Sequence, residues 1–118
     1  MIPFSVESEL KENPRAVIIR TVGYFDEDGG NKFRVAAQEY IGKGEKLYIL
    51  NLKGSPIVNS IGISCILDVT EQITIDVSGR AVFCGLSKAV AEAFKLVGLM
   101  KLYPVVATEQ DALSEYGG

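Results

Sequence analysis

The chain has 118 residues, 47% hydrophobic and 23% charged, enough for a single domain over residues 1–118 with a buried core and no low-complexity tail. Twelve Lys and Arg against fifteen Asp and Glu leave a net charge of -3, with the cations scattered singly, so a phosphate backbone finds no basic patch and nucleic acid is not an expected partner. No apolar run approaches the roughly 20 residues that span a bilayer, and Met1-Ile2-Pro3-Phe4-Ser5 is no secretory leader; the expectation is a cytoplasmic protein without membrane insertion.

In chain order, residues 4–10 read as an edge strand and Asn13-Pro14 as a turn. Residues 15–22 are rich in β-branched side chains and stop at Gly23, the mark of a strand. Asp26-Glu27-Asp28-Gly29-Gly30-Asn31 starts like a calcium loop, but its glycine position falls on Asn31 and its twelfth on Ala37. The acids read instead as a cluster before the first turn of a helix, where they complement its dipole. That helix shows an apolar stripe at Phe33, Ala36, Ala37, Tyr40 and Ile41 and ends at Gly42, a residue suited to a left-handed cap. Residues 47–52 form a nearly continuous apolar run stopped by Gly54-Ser55-Pro56, the pattern of a strand buried on both faces, and residues 81–86 read the same way.

Between those two strands the pattern is divided. Ile61, Ile63, Cys65, Leu67 and Val69 alternate as a strand does and local propensity sides with it, whereas Ile63, Ile66, Leu67 and Thr70 fit a helical face. Residues 73–77 also alternate, and Ser78-Gly79 could fold them into a hairpin with the next strand. Strand-helix-strand order elsewhere favours a crossover helix, so both readings stay open. Ser87 is a candidate N-cap for a helix carrying Val90, Ala93, Phe94 and Val97, which stops at Gly98 with Leu99 making the contact after the cap. A last short helix starts at Thr108, runs through Glu109, Asp111 and Leu113, and frays at Gly117-Gly118.

Catalytic chemistry is hard to assemble from this inventory. The chain has no histidine, which removes the commonest general base and metal ligand, and Gly42-Lys43-Gly44 lacks the remaining glycine of a dinucleotide loop. Ser8-Glu9-Leu10-Lys11 has Ser-x-x-Lys spacing without its companion elements. Cys65 and Cys84 lie in apolar segments and read as reduced, hydrophobic thiols, with a disulfide left open and no histidine to complete a zinc site. The reading is a protein without enzymatic activity, metal or cofactor. What remains is Asn59-Ser60-Ile61-Gly62, after a buried strand and a tight turn, where Ser60 by itself reads as an N-cap.

Read together, several segments resemble the STAS domain, the family of anti-sigma factor antagonists that also supplies the cytoplasmic tails of sulphate transporters. The matching pieces are Val22-Gly23-Tyr24-Phe25-Asp26, Leu47-Tyr48-Ile49-Leu50-Asn51-Leu52, Ile57-Val58-Asn59-Ser60-Ile61-Gly62-Ile63, Val82-Phe83-Cys84-Gly85-Leu86-Ser87 and Ala93-Phe94-Lys95-Leu96-Val97-Gly98-Leu99. The resemblance implies an α/β fold, with a mixed, mostly parallel sheet of about five strands and about four helices. It also implies a helix over residues 60–75. The family motif, Asp-Ser-Ser-Gly or Asp-Ser-Thr-Gly, makes Ser60 the phosphate acceptor, with Asn59 and Ile61 departing from the pattern.

The resemblance further implies a partner switch. The unmodified protein binds an anti-sigma factor that is also a serine kinase, phosphorylation breaks the complex, and a phosphatase acting on phosphorylated Ser60 restores it. The expected contact surface lies at one end of the sheet: Gly23, Tyr24 and Asp26, the Ser55-Pro56 turn, and Asn59, Ile61, Gly62 and Ser64 around the acceptor. Two other readings accompany it. One is a scaffold or accessory subunit of a stress-signalling or lipid-transport assembly in which Ser60 carries no phosphate; the other is a small-ligand module using the crevice beyond the strand ends.

Overall fold

The structure is a computed structural model and describes residues 3–117, so the expectations for Met1-Ile2 and for Gly118 lie outside the described residues. Five strands form one sheet in the order β1 (Ser5–Lys11), β2 (Ala16–Val22), β3 (Leu47–Gly54), β4 (Arg80–Cys84), β5 (Val105–Val106). Only β1 and β2 pair antiparallel; the other neighbours are parallel. A parallel pair needs a crossover, and helices provide each one: α1 (Glu27–Ile41), α2 (Ser60–Asp76), then α3 (Lys88–Leu96) followed by the single turn α4 (Leu99–Leu102). A final helix, α5 (Glu109–Tyr116), follows β5. The expected mixed, mostly parallel α/β sheet is present, and the described residues hold four helices of eight residues or more together with the single turn α4.

The pleat distributes side chains to two cores. Val17, Ile19, Tyr48, Leu50, Leu52, Ala81 and Phe83 face α1 to α4, while Ile18, Ile49, Val82 and Cys84 face α5, which contributes Ala112, Leu113 and Tyr116. This two-sided burial is why β3 and β4 read as continuous apolar runs. Cys84 sits in one core and Cys65 in the wall between α1 and α2; both are free and buried. Gly30 on α1 allows that wall to close, because a β-carbon there would overlap the Cys65 side chain.

Residues 60–76 are a helix, against their local alternation. Once β4 pairs parallel with β3, a tight return between them is geometrically impossible. Burial of Gly62, Ile63, Cys65, Ile66, Val69, Thr70 and Ile73 then outweighs the modest helix penalty of β-branched residues. The threonines do not compete with the helix, since Thr70 Oγ1 and Thr74 Oγ1 donate to carbonyls one turn earlier, those of Ile66 and Thr70. The hairpin expected at Ser78-Gly79 is therefore corrected: residues 73–76 end α2, and the following turn feeds a parallel strand.

Smaller corrections have equally local causes. The first helix starts at Glu27, inside the acidic cluster, because Asp26 Oδ1 caps it by accepting from Gly29 N–H at 3.0 Å. Gly42 is right-handed; the left-handed residue of that exit is Gly44, at φ 78°. The strand expected to reach residue 86 stops at Cys84, where Gly85 turns left-handed. Gly98 is left-handed as expected and leads directly into α4.

Candidate functional site

The C-terminal ends of β2, β3 and β4 lie at one edge of the sheet, where α1, α2 and α3 all begin. Backbone bonds carry the β2–β3 alignment past the strand ends: Gly23 N–H donates to Gly54 at 2.8 Å, Phe25 N–H to Ile57 at 3.1 Å, and Asn59 N–H to Phe25 at 3.0 Å. Phe25 and Val58 form a parallel bridge there. The loop that carries Ser60 is thus built onto the loop after β2.

Asn59, not Ser60, is the N-cap of α2; its Oδ1 accepts from Gly62 N–H at 2.8 Å. The cap relieves Ser60 of the role its position first suggests. Ser60 becomes the first helical residue, exposed, and its hydroxyl has no hydrogen-bond partner among the described residues. Its carbonyl accepts the Ser64 hydroxyl at 3.2 Å, so that neighbouring hydroxyl is engaged with the backbone. No acid stands in the first turn of α2, in contrast to Glu27 and Asp28 at the start of α1. A negative group on Ser60 would meet only the positive end of the helix there.

The expected surface residues fall into two groups. Tyr24, Pro56, Ile61 and Ser64 are exposed, Gly23, Asp26 and Asn59 half-buried, and all lie at this edge. Gly23 takes φ 101° to pass Phe4. Ser55, in contrast to the expected exposed turn, is fully buried with its hydroxyl 2.8 Å from that of Thr21, so its side chain anchors the turn. Gly62 is likewise a packing residue, since a side chain there would overlap the Phe25 carbonyl.

Exposed apolar residues also flank the loop and α3. Ile57 precedes the acceptor, and Leu96 and Val97, at 88% and 48% exposure, end α3. Val97 was expected in the buried stripe, which closes instead with Phe94. Leu96 sits off that stripe, so a large apolar residue on a polar face was the available signal. Between α2 and α3 runs a groove of about 390 Å³, lined by Val58, Ile63, Leu67, Ala93, Leu96 and Val97 together with Ser60 and Ser64.

The opposite face carries a polar cluster. Arg20 on β2 donates through Nε and Nη2 to both oxygens of Glu109 at 2.7 and 2.8 Å, and Asn51 Nδ2 donates to Glu109 Oε2 at 2.6 Å. The Arg20 hydrogen bonds, reinforced by that of Asn51, hold the Glu109 carboxyl below the usual carboxylate range against the opposing effect of burial. The adjacent Cys84 thiol is pushed up to about 12, first by burial and then by the Glu109 charge, which makes it a poor nucleophile. A cleft of about 510 Å³ opens beside it, lined by Lys11, Asn51, Lys53 and Glu109 among others. No cluster of potential metal ligands occurs among the described residues, and no helix is long and apolar enough to cross a membrane.

Comparison with known proteins matches this arrangement. The STAS domain family model matches residues 7–112. A Bordetella bronchiseptica protein named "Putative anti-sigma factor antagonist BtrV" is 30% identical over 82 residues, 70% of this chain and 68% of that protein. Among solved structures, the anti-sigma factor antagonist SpoIIAA in its unphosphorylated form superposes with a TM-score of 0.76 at 21% identity, covering 97% of this chain and 99% of that one. The Bacillus cell fate determinant SpoIIAA in its phosphorylated form gives 0.73 at 22% identity, covering 93% and 97%. At these identities the structural matches bear on the fold.

Proposed function

The chain belongs to the STAS domain family, and from that premise we propose that it is an anti-sigma factor antagonist whose binding is switched by phosphorylation of Ser60. The observation that carries this reading is an exposed Ser60 hydroxyl, without a partner among the described residues, at the capped start of α2, next to the exposed Ile61 and on a groove that Leu96 and Val97 also line. The names of the relatives support it, and so does the fold shared with SpoIIAA in both its forms. On this reading the chain is a cytoplasmic binding protein and not an enzyme, acts as one domain and needs no cofactor. Its partner is an anti-sigma factor with serine kinase activity, and a phosphatase resets the site.

The switch follows from electrostatics. In the unmodified state a partner meets an uncharged first turn of α2, which needs no counter-charge. A phosphate adds about two negative charges and three acceptor oxygens. In the free protein, solvent and the uncompensated start of α2 receive it; under a docked, dry partner it has neither. Moving a complex from almost wholly bound to almost wholly free takes about 5 kcal/mol of differential affinity, within reach of a doubly charged group stripped of water. Asn59 keeps the cap that an aspartate would provide while leaving the first turn neutral.

The test is to isolate the protein from its native cell, map phosphate by peptide mass spectrometry, and measure how wild type and Ser60→Glu bind the kinase partner it captures. A phosphorylated pool at Ser60 and loss of binding in S60E are expected. A pool with no phosphate at Ser60, together with full-strength binding by S60E, would sink the switch and leave the accessory-subunit reading, which the missing acid at position 59 favours.

A further inference from the structure

Ser87 lies outside the surface described above, yet it makes the only hydrogen bond among the described residues that joins α3 to the loop carrying Ser60. Its Oγ accepts from Val90 N–H at 3.1 Å, as the N-cap of α3, and donates to the Pro56 carbonyl at 2.8 Å. A serine hydroxyl has one proton and two lone pairs, so it makes both bonds at once. We propose that Ser87 is a positioning residue for the Ser60 switch: it latches the loop before α2 to the start of α3 and thereby fixes the acceptor hydroxyl.

Apart from Ser55 N–H, which donates to Leu52 of β3, the loop's other attachments lie on the β2 side. Ser55 meets Thr21, and both Ile57 and Asn59 bond to Phe25. Toward α3 the chain at Pro56 and Ile57 is exposed, and the Ser87 proton is what holds it. The helix it is tied to is short, nine residues ending at Leu96, and it grips the sheet through Val90 and Phe94, the latter edge-on to Phe83 with ring centroids 4.9 Å apart. Its exposed end, with Leu96, forms one wall of the groove, and the first residues of α2 form the other. Ser87 caps the other end of that helix, so its hydroxyl acts on the loop, fixing the chain at Pro56, four residues before Ser60. A phosphate acceptor needs that order, because a displacement of about 1 Å can cost two orders of magnitude in rate.

The inference rests on the proposed switch, and its test separates the two. Amide hydrogen exchange of the purified protein reads the latch without any partner. In Ser87→Ala, residues 57–61 and the first turn of α3 should both exchange roughly five- to tenfold faster, as expected for one lost hydrogen bond at each place. Ser87→Asp keeps an acceptor for Val90 N–H but has no proton to donate at neutral pH, so only residues 57–61 should speed up. Ser87→Thr retains both bonds and should match wild type. With the kinase partner captured above, kcat/KM for phosphate transfer to Ser60 should fall about tenfold in S87A and S87D and recover in S87T. Unchanged exchange at residues 57–61 in S87D would overturn the latch; faster exchange with an unaltered phosphorylation rate would overturn the positioning role. Should wild type itself accept no phosphate, the switch fails, and the exchange measurement still decides whether the latch exists.

Discussion

The starts of α2 and α5 use the same backbone device with opposite results. Each helix begins just after a strand's C-terminal end and is capped by a side chain, Asn59 bonding Gly62 N–H and Thr108 bonding Asp111 N–H. At α5 the first turn carries Glu109 and Asp111, and Glu109 is saturated by Arg20 and Asn51, so the helix is pinned to the sheet. At α2 the first turn carries no acid, the Ser60 hydroxyl has no partner among the described residues, and the exposed residue next to it is the apolar Ile61. A helix N-terminus thus becomes an anchor where its surroundings are electrostatically complete, and a place for chemistry or docking where they are left incomplete.

The contrast can be broken most sharply at Ser60. Ser60→Glu should abolish measurable partner binding in calorimetry, a loss approaching about 5 kcal/mol, while the thermal midpoint of the free protein stays close to wild type. Next comes the floor beneath α2: Gly62→Val sets a side chain against the Phe25 carbonyl, and a loss of about 2–3 kcal/mol is expected in denaturant unfolding.

Asn59→Ala should cost about 1 kcal/mol by removing the cap. Asn59→Asp, which keeps the cap and adds charge at the positive end of the helix, should match or exceed wild type by a few tenths of a kcal/mol in the same experiment. A drop in N59D comparable to that in N59A would show that Oδ1 is not what holds the turn.

The smallest effect belongs to α5. The carboxyl of Glu109 is depressed in the folded protein, so its contribution is complete above the ordinary glutamate range and disappears as pH falls through the lowered folded value. Urea unfolding of Glu109→Gln should therefore show a deficit of about 1 kcal/mol at neutral pH that shrinks on acidification, whereas partner binding at Ser60 is unchanged. A deficit that stayed constant with pH would mean that the Arg20 pairing is not its source.

Much of this architecture is legible in residue order. Local chemistry placed three strands on the β-branched or continuous apolar runs around Ile18, Ile49 and Val82, and it placed the caps Ser87 and Thr108, because strand propensity and capping depend on a few adjacent residues. The family motif singled out Ser60. Two-residue β5 and single-turn α4 carry too little pattern to be seen at all.

Sequence alone determined which segments prefer to be buried; their mutual arrangement decided what they became. Residues 60–76 alternate like a strand, and they are a helix because parallel pairing of β3 and β4 demands a crossover and rewards it with core burial. The same holds for single side chains: Ser55 looks like a loop residue and is sealed against Thr21, while Val97 looks like core and faces solvent. Burial is a property of neighbours distant in the chain, and no local pattern carries their positions.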